Sequence, residues 1–188
     1  MSVIEHYESV LGPYRARVRW DAGRDPGFDV VSFGDVPGFG GVVYATVGLS
    51  RYPLASSTPG IELRQELLMT VSEIPDPDNI ATLLAQVGGE AVANHHGVLR
   101  GTVIGPYGPL FPGSEMEALY VTVPVYLPDG FETLHDEAGD IFIGWMVPIS
   151  HREAHVVQRS GWREFERQLS LTDVALADPF RPGLVLPV

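Results

Sequence analysis

At 188 residues the chain has the length of one domain, and its 45% hydrophobic content suffices for a core without covalent staples. Its 24 acidic residues against 12 basic ones give a formal charge of −12, a field that repels nucleic acid and anionic lipid and attracts a basic partner. With no cysteine there can be no disulfide, zinc–thiolate site or iron–sulfur cluster, and no apolar run reaches the length of a membrane span. The acidic start Met-Ser-Val-Ile-Glu-His-Tyr-Glu lacks the basic-then-apolar pattern of a signal peptide, so the expected home is cytoplasmic.

In chain order, Ile4, Tyr7, Val10 and Leu11 fall at helical spacing, and Gly12-Pro13 stops that helix. Residues 20–27 read as loop. Phe28 to Phe33 forms a strand, ended by Gly34-Asp35-Val36-Pro37-Gly38, and Gly41 to Ser50 a second. The Pro/Ser-rich stretch from Tyr52 to Gly60 reads as a mobile connection. Beyond it Ile61, Leu63, Leu67, Met69 and Val71 alternate with Glu62, Arg64, Glu66, Thr70 and Ser72. Period two predicts a strand with one wet face in an antiparallel sheet, with Gln65 and Leu68 out of pattern. Pro75-Asp76-Pro77-Asp78 opens a helix whose apolar stripe, Ile80, Leu83, Leu84, Val87 and Ala91, is interrupted at Gly88-Gly89 and ends near His95.

Further strands are expected over Leu99 to Ile104 and Ala118 to Tyr126, separated by the turn-rich Gly105-Pro106-Tyr107-Gly108-Pro109. Pro128-Asp129-Gly130 begins an acidic loop that carries Asp136, Glu137 and Asp140. Ile141 to Val147 is a nearly unbroken run of β-branched and aromatic residues, the signature of a strand buried on both faces, and Pro148 should end its pairing. Ser150 and Glu153 have capping-box spacing, so a helix begins there. Ser160-Gly161 breaks it, Gly161 suiting a left-handed C-cap, and Trp162, Phe165 and Leu169 define a second short helix. The tail over 172–188 is extended. Strands in runs, with one long helix between them and helices at the ends, indicate a single α+β domain over 1–188, a mostly antiparallel or mixed sheet flanked by helices.

Several groups have residue types that carry chemistry elsewhere. His151 and His155 share a helix face, as two metal ligands would, but the position after the first His, where a zincin has Glu, is Arg152. Glu153 is committed to the cap, so a metal-dependent or small-molecule enzyme using His151, Glu153 and His155 is the lesser alternative. His95-His96 reads as an ordinary helix end, with one ring half-buried. The loop with His135, Asp136, Glu137 and Asp140 lacks the regular spacing of a calcium loop and reads as a solvated turn. Gly38-Phe39-Gly40-Gly41 and Gly105 to Gly108 lack a P-loop lysine, and no serine sits in a Gly-x-Ser-x-Gly turn. No catalytic residue set, metal or cofactor is expected.

Read together, several segments resemble the suppressor of fused (SUFU) family. Tyr44-Ala45-Thr46-Val47-Gly48-Leu49-Ser50 is similar to its strand ending in Gly-Leu/Met-Ser, Ile61 to Met69 to the Glu-Leu-rich strand that follows, and Leu99-Arg100-Gly101-Thr102-Val103 to a glycine-centred strand entry. Trp145 to Glu153, Gly161 to Leu169 and Thr172-Asp173-Val174 resemble the closing strand, helix and tail. The resemblance implies a non-catalytic protein-binding domain. Animal members hold a transcription factor by pairing with an extended peptide, and short bacterial members are similar to immunity proteins that neutralise toxins. This chain corresponds to the family's N-terminal-type domain, and Thr102 stands where animal members carry Asp, so the peptide clamp does not transfer residue by residue. The expected function is occlusion of a protein partner, basic or a toxin, through an acidic surface at Asp136, Glu137 and Asp140. A general scaffold or interaction domain is the other alternative, and neither nucleic acid nor membrane is an expected partner.

Overall fold

A strand that is apolar on both faces needs a cover on each, and the central strands of this chain are of that kind. The computed structural model describes residues 1–20, 27–34, 36, 41–72 and 77–185. Most of the expected loop over 20–27, the strand end over 35–38, the glycine run at 38–40, the helix entry at Pro75-Asp76 and the last three residues lie outside the described residues. Helix α1 (Val3–Leu11) leads into β1 (Tyr14–Trp20), β2 (Phe28–Phe33) and β3 (Val42–Val47). A 3-10 turn (Leu49–Arg51), β4 (Leu54–Ala55), β5 (Glu62–Val71) and the long α2 (Pro77–Asn94) follow. The second half comprises β6 (Val103–Ile104), β7 (Met116–Thr122), β8 (Thr133–Asp136), β9 (Gly139–Ser150), α3 (His151–Ser160) and α4 (Trp162–Leu169).

The strands form one mixed sheet in the order β1-β2-β3-β5-β9-β7-β6, with β4 added to β5 and β8 to β9. β5 and β9 run parallel at its centre, Arg64 opposite Ile141 and Leu68 opposite Trp145, and the other pairs are antiparallel. Side chains alternate between the faces. On one face Leu68, Tyr120, Trp145, Val147 and Phe33 pack under α1, α3 and α4 through Tyr7, Leu11, Val157 and Phe165. On the other Val30, Tyr44, Leu67, Met69 and Met146 pack under α2 through Ile80 and Leu84. Burial of each of these large apolar side chains stabilises the fold by roughly 1.5–3 kcal/mol.

β5 departs from its expected form. It is buried on both faces over most of its length, and it pairs in parallel with β9. Glu62 stays exposed and Arg64 half-buried, but Gln65, Glu66 and Thr70 are buried, and each has a partner inside. The Gln65 amide exchanges hydrogen bonds with the backbone of Val98 at 2.5 and 2.9 Å, and Trp145 Nε1 donates to Thr70 Oγ1 at 3.1 Å. Leu68, out of pattern for one wet face, packs in the core under α1, α3 and α4.

Other boundaries move for identifiable reasons. α2 runs unbroken through Gly88-Gly89, where bare backbone admits the rings of Phe28 and Trp20; a methyl group on Gly88 would stand 2.8 Å from Phe28 Cζ. Pairing of β9 continues past Pro148 to Ser150. The Pro148 carbonyl points away from β7 and accepts from Arg181 at 3.0 Å, and a residue's N–H lies on the same side as its C=O, so the missing donor costs the ladder nothing. The strand expected over 99–104 shrinks to Val103–Ile104, and the one over 118–126 ends at Thr122, just before the proline at 124. The acidic loop contributes a strand, β8, that closes a hairpin on β9. Gly161 has φ 82° but ψ 157°, positive φ without the left-handed helical ψ expected of it, while its N–H still bonds Val157 O at 3.0 Å. A capping box at Ser2 and Glu5 opens α1.

Candidate functional site

The three acidic residues singled out from sequence lie at one hairpin tip, but two are engaged. Asp136 receives both terminal nitrogens of Arg64, at 2.5 and 2.8 Å, and the Ala138 N–H at 2.8 Å. The bond from Arg64 holds its carboxyl down at about 2. Asp140 Oδ1 stands 2.6 Å from His135 Nδ1. Glu137 is exposed and makes no ion pair among the described residues. The tip therefore presents less free charge than its sequence suggests.

α3 separates the residues of the enzyme alternative onto opposite sides. His151 and His155 are exposed on its outer face, His151 Nδ1 lying 3.6 Å from Glu117 Oε2. Glu153 is fully buried on the inner face. Its Oε2 accepts the Ser150 N–H at 2.7 Å, completing the capping box, and Arg181 donates to Oε1 and Oε2 at 2.8 and 3.1 Å. Glu153 is thus spent on the fold and cannot serve the two histidines. Among the described residues no three His, Asp or Glu side chains stand close enough together to hold a metal. His95 and His96 are both exposed, and their role is in the backbone: His95 O accepts from Ala55 N at 2.9 Å, and His96 bridges to Ala55.

The Gly48-Leu49-Ser50 turn has a structural explanation. Glu66 is buried, and its carboxylate accepts from Thr46 Oγ1 at 2.6 Å, Gly48 N at 2.9 Å and Ser50 N at 3.1 Å. Gly48 takes φ 99°, a conformation that favours glycine, to aim its N–H there. Burial pushes the Glu66 carboxyl above its usual range, against the lowering effect of those donors. The motif is a turn tied to a carboxylate inside the core rather than a reactive site.

The surface that sequence reasoning missed is β1. It stands at the end of the sheet, pairs only with β2 among the described strands, and is exposed over nearly all its length. Arg17 and Arg19 fall on one face and Ala16, Val18 and Trp20 on the other, with a register shift between Tyr14 and Ala16. Arg17 and Arg19 reach the buried carboxylate of Asp29 at 2.5 and 3.5 Å, yet their side chains stay about half-exposed. Tyr14 and Val18 are 44% and 49% exposed, unusual for apolar residues in a strand. The signal was present as strict alternation over 15–20, obscured because arginines occupied every second position.

Comparison with known proteins fits this architecture. The family model for suppressor of fused protein (SUFU) matches residues 24–182. No curated protein is matched by the sequence. Among solved structures, a SUFU homolog from Neisseria gonorrhoeae superposes with a TM-score of 0.77 at 16% identity, covering 99% of this chain and 96% of that one. The structure of the Sufu–Fu complex gives 0.73 at 16% identity, over 95% and 86% of the two chains. Suppressor of fused from Drosophila gives 0.71 at 18% identity, over 95% of this chain but only 48% of that one. At such identities the likeness is one of fold.

Proposed function

The chain belongs to the suppressor of fused family, and from that premise we propose that it is a non-catalytic protein-binding domain. The observation that carries the reading is the edge of β1, a seven-residue strand exposed over nearly all its length that pairs with β2 alone among the described strands. Such an edge offers unpaired backbone donors and acceptors, and proteins ordinarily cover or blunt it. An extended segment of a partner can add to it as a further strand, with acidic side chains at alternate positions facing the arginine row. One of the structures that this chain resembles is that of a Sufu–Fu complex, in keeping with a protein partner.

A second surface keeps a narrower reading open. The formal charge of −12 and the exposed Glu137 at the β8–β9 tip suit a basic partner. On this reading the protein is an immunity-type inhibitor that occludes a toxin through Asp136, Glu137 and Asp140.

Co-expression with the product of the neighbouring gene, followed by size-exclusion chromatography at low salt, tests both. The expected result is a 1:1 complex that Val18→Asp on β1 disrupts. A complex that ignores this change and is lost in Glu137→Lys/Asp140→Lys moves the interface to the hairpin. Absence of any complex, with the protein folded, removes the protein-binding reading for that partner.

A further inference from the structure

Between the sheet, α4 and the tail lies a cavity of about 390 Å³, within the range of small-ligand sites. Tyr120, Trp145 and Val147 of the sheet, Leu169 of α4 and tail residues 174 and 176 make most of its wall apolar. Val125 and Tyr126, 62% and 49% exposed, stand on the lining from the solvent side. Tyr126 meets Trp145 edge to face, their centroids 5.3 Å apart at 72°; Trp145 and Tyr120 are almost wholly buried, so Tyr126 is the exposed ring of the wall. Among the described residues of the lining a single one is charged, Glu166.

Glu166 is held in place from behind. Its Oε1 accepts from Thr122 Oγ1 at 2.7 Å, Tyr120 OH at 2.8 Å and Arg100 Nε at 3.1 Å, which saturates that oxygen. Oε2 is paired with a terminal nitrogen of Arg100 and retains a further lone pair. Burial pushes this carboxyl up, but the bonds from Arg100, Thr122 and Tyr120 outweigh it and hold the group below its usual range, so it is anionic at neutral pH. Arg100 is not part of the cavity wall; its guanidinium lies outside, stacked 4.7 Å from the Trp162 ring. It offsets part of the carboxylate charge and fixes the group's position. The Glu166 side chain remains 20% exposed, so it can be reached.

An apolar cavity with one exposed aromatic ring and one fixed carboxylate favours a cation over an anion, and a greasy cation over a hydrated one, because a ring face attracts positive charge that has been stripped of water. We propose that this cavity binds a small amphiphilic cation, an alkyl- or arylammonium whose head lies against Glu166 and the exposed Tyr126 ring. The alkyl or aryl body fills the apolar space beside Val147 and Leu169. This site is independent of β1 and of the hairpin tip, and it stands or falls apart from partner binding.

The test is calorimetric titration of the full chain with hexyltrimethylammonium, with 1-hexanol as the uncharged control. Saturable 1:1 binding of the cation is expected, with hexanol about tenfold weaker, the share supplied by charge and ring faces. Glu166→Gln keeps an acceptor for Tyr120 and Thr122 but removes the charge, and should weaken the cation about tenfold while leaving hexanol unchanged. Val125→Arg places a like charge on the exposed side of the lining without touching the Glu166 network, and should weaken the cation selectively as well. Absence of saturable binding, equal affinity for hexanol, or unchanged affinity in Val125→Arg would each overturn the assignment.

Discussion

At the scale of single residues, the informative side chains are polar groups placed inside. Glu153 and Arg181 form an ion pair with both side chains almost wholly buried, joining α3 to the tail. Removing one partner of such a pair leaves the other charge buried without compensation, which typically costs about 3–5 kcal/mol. Arg181→Met should therefore lower the stability measured by urea unfolding by about 3 kcal/mol, and adding Glu153→Gln should recover part of that loss. Glu66 makes a different prediction. Its carboxyl is pushed up by burial, so between its ordinary value and its folded value the native state holds more protons than the unfolded chain. Its contribution is therefore greatest below the unfolded value and is lost as pH rises through the folded one. In Glu66→Gln this slope should vanish, so stability plotted against pH through the weakly acidic range should be flatter than in the wild type. Equal slopes in the two proteins would show that Glu66 does not titrate differently in the fold.

At the scale of elements, the contrast is between β9 and β1. β9 is flanked on both sides, by β5 and by β8 and then β7, and is buried along most of its length. Among the described strands β1 has one neighbour, and its side chains have little cover. Hydrogen exchange should follow this difference. Amides of β9 should open only with global unfolding, whereas the β1 amides that point away from β2 should exchange far faster. Uniform protection across β1 in the isolated protein would mean that its edge is already covered, by a second copy or by another segment, and would weaken the case for it as a docking edge. Both elements had a signal in the sequence, but of unequal strength. The Ile141 to Val147 run is apolar enough to be read as a buried strand directly. In β1 the alternating arginines imitate a solvated loop, and only pairing with β2 reveals the strand.

At the scale of the whole molecule, charge and layering govern behaviour. A surplus of 12 negative charges should speed encounter with a basic partner and make the association rate fall as salt rises past the point where the Debye length is about 10 Å. For an acidic segment adding to β1 the same net field opposes approach, so added salt should leave that rate unchanged or raise it; stopped-flow association at two ionic strengths separates the two readings. Composition, period and capping spacing by themselves determined the α+β class, the helices near both ends and the buried strand before the Ser150 cap, because those features depend on neighbours a few residues apart, while the ordered motifs between Tyr44 and Val174 carried the resemblance to the suppressor of fused family. Only the tertiary structure decided that β5 is covered on both faces and parallel to β9. It alone showed that Asp136 is taken by Arg64 from 72 residues away and that Glu153 is bound by Arg181 across 28. It also left β1 at the end of the described sheet and formed a largely apolar cavity beside Glu166. Each of these depends on which distant segments become neighbours, and the free energy of burying a charge or of leaving an edge open has no value until those neighbours are known.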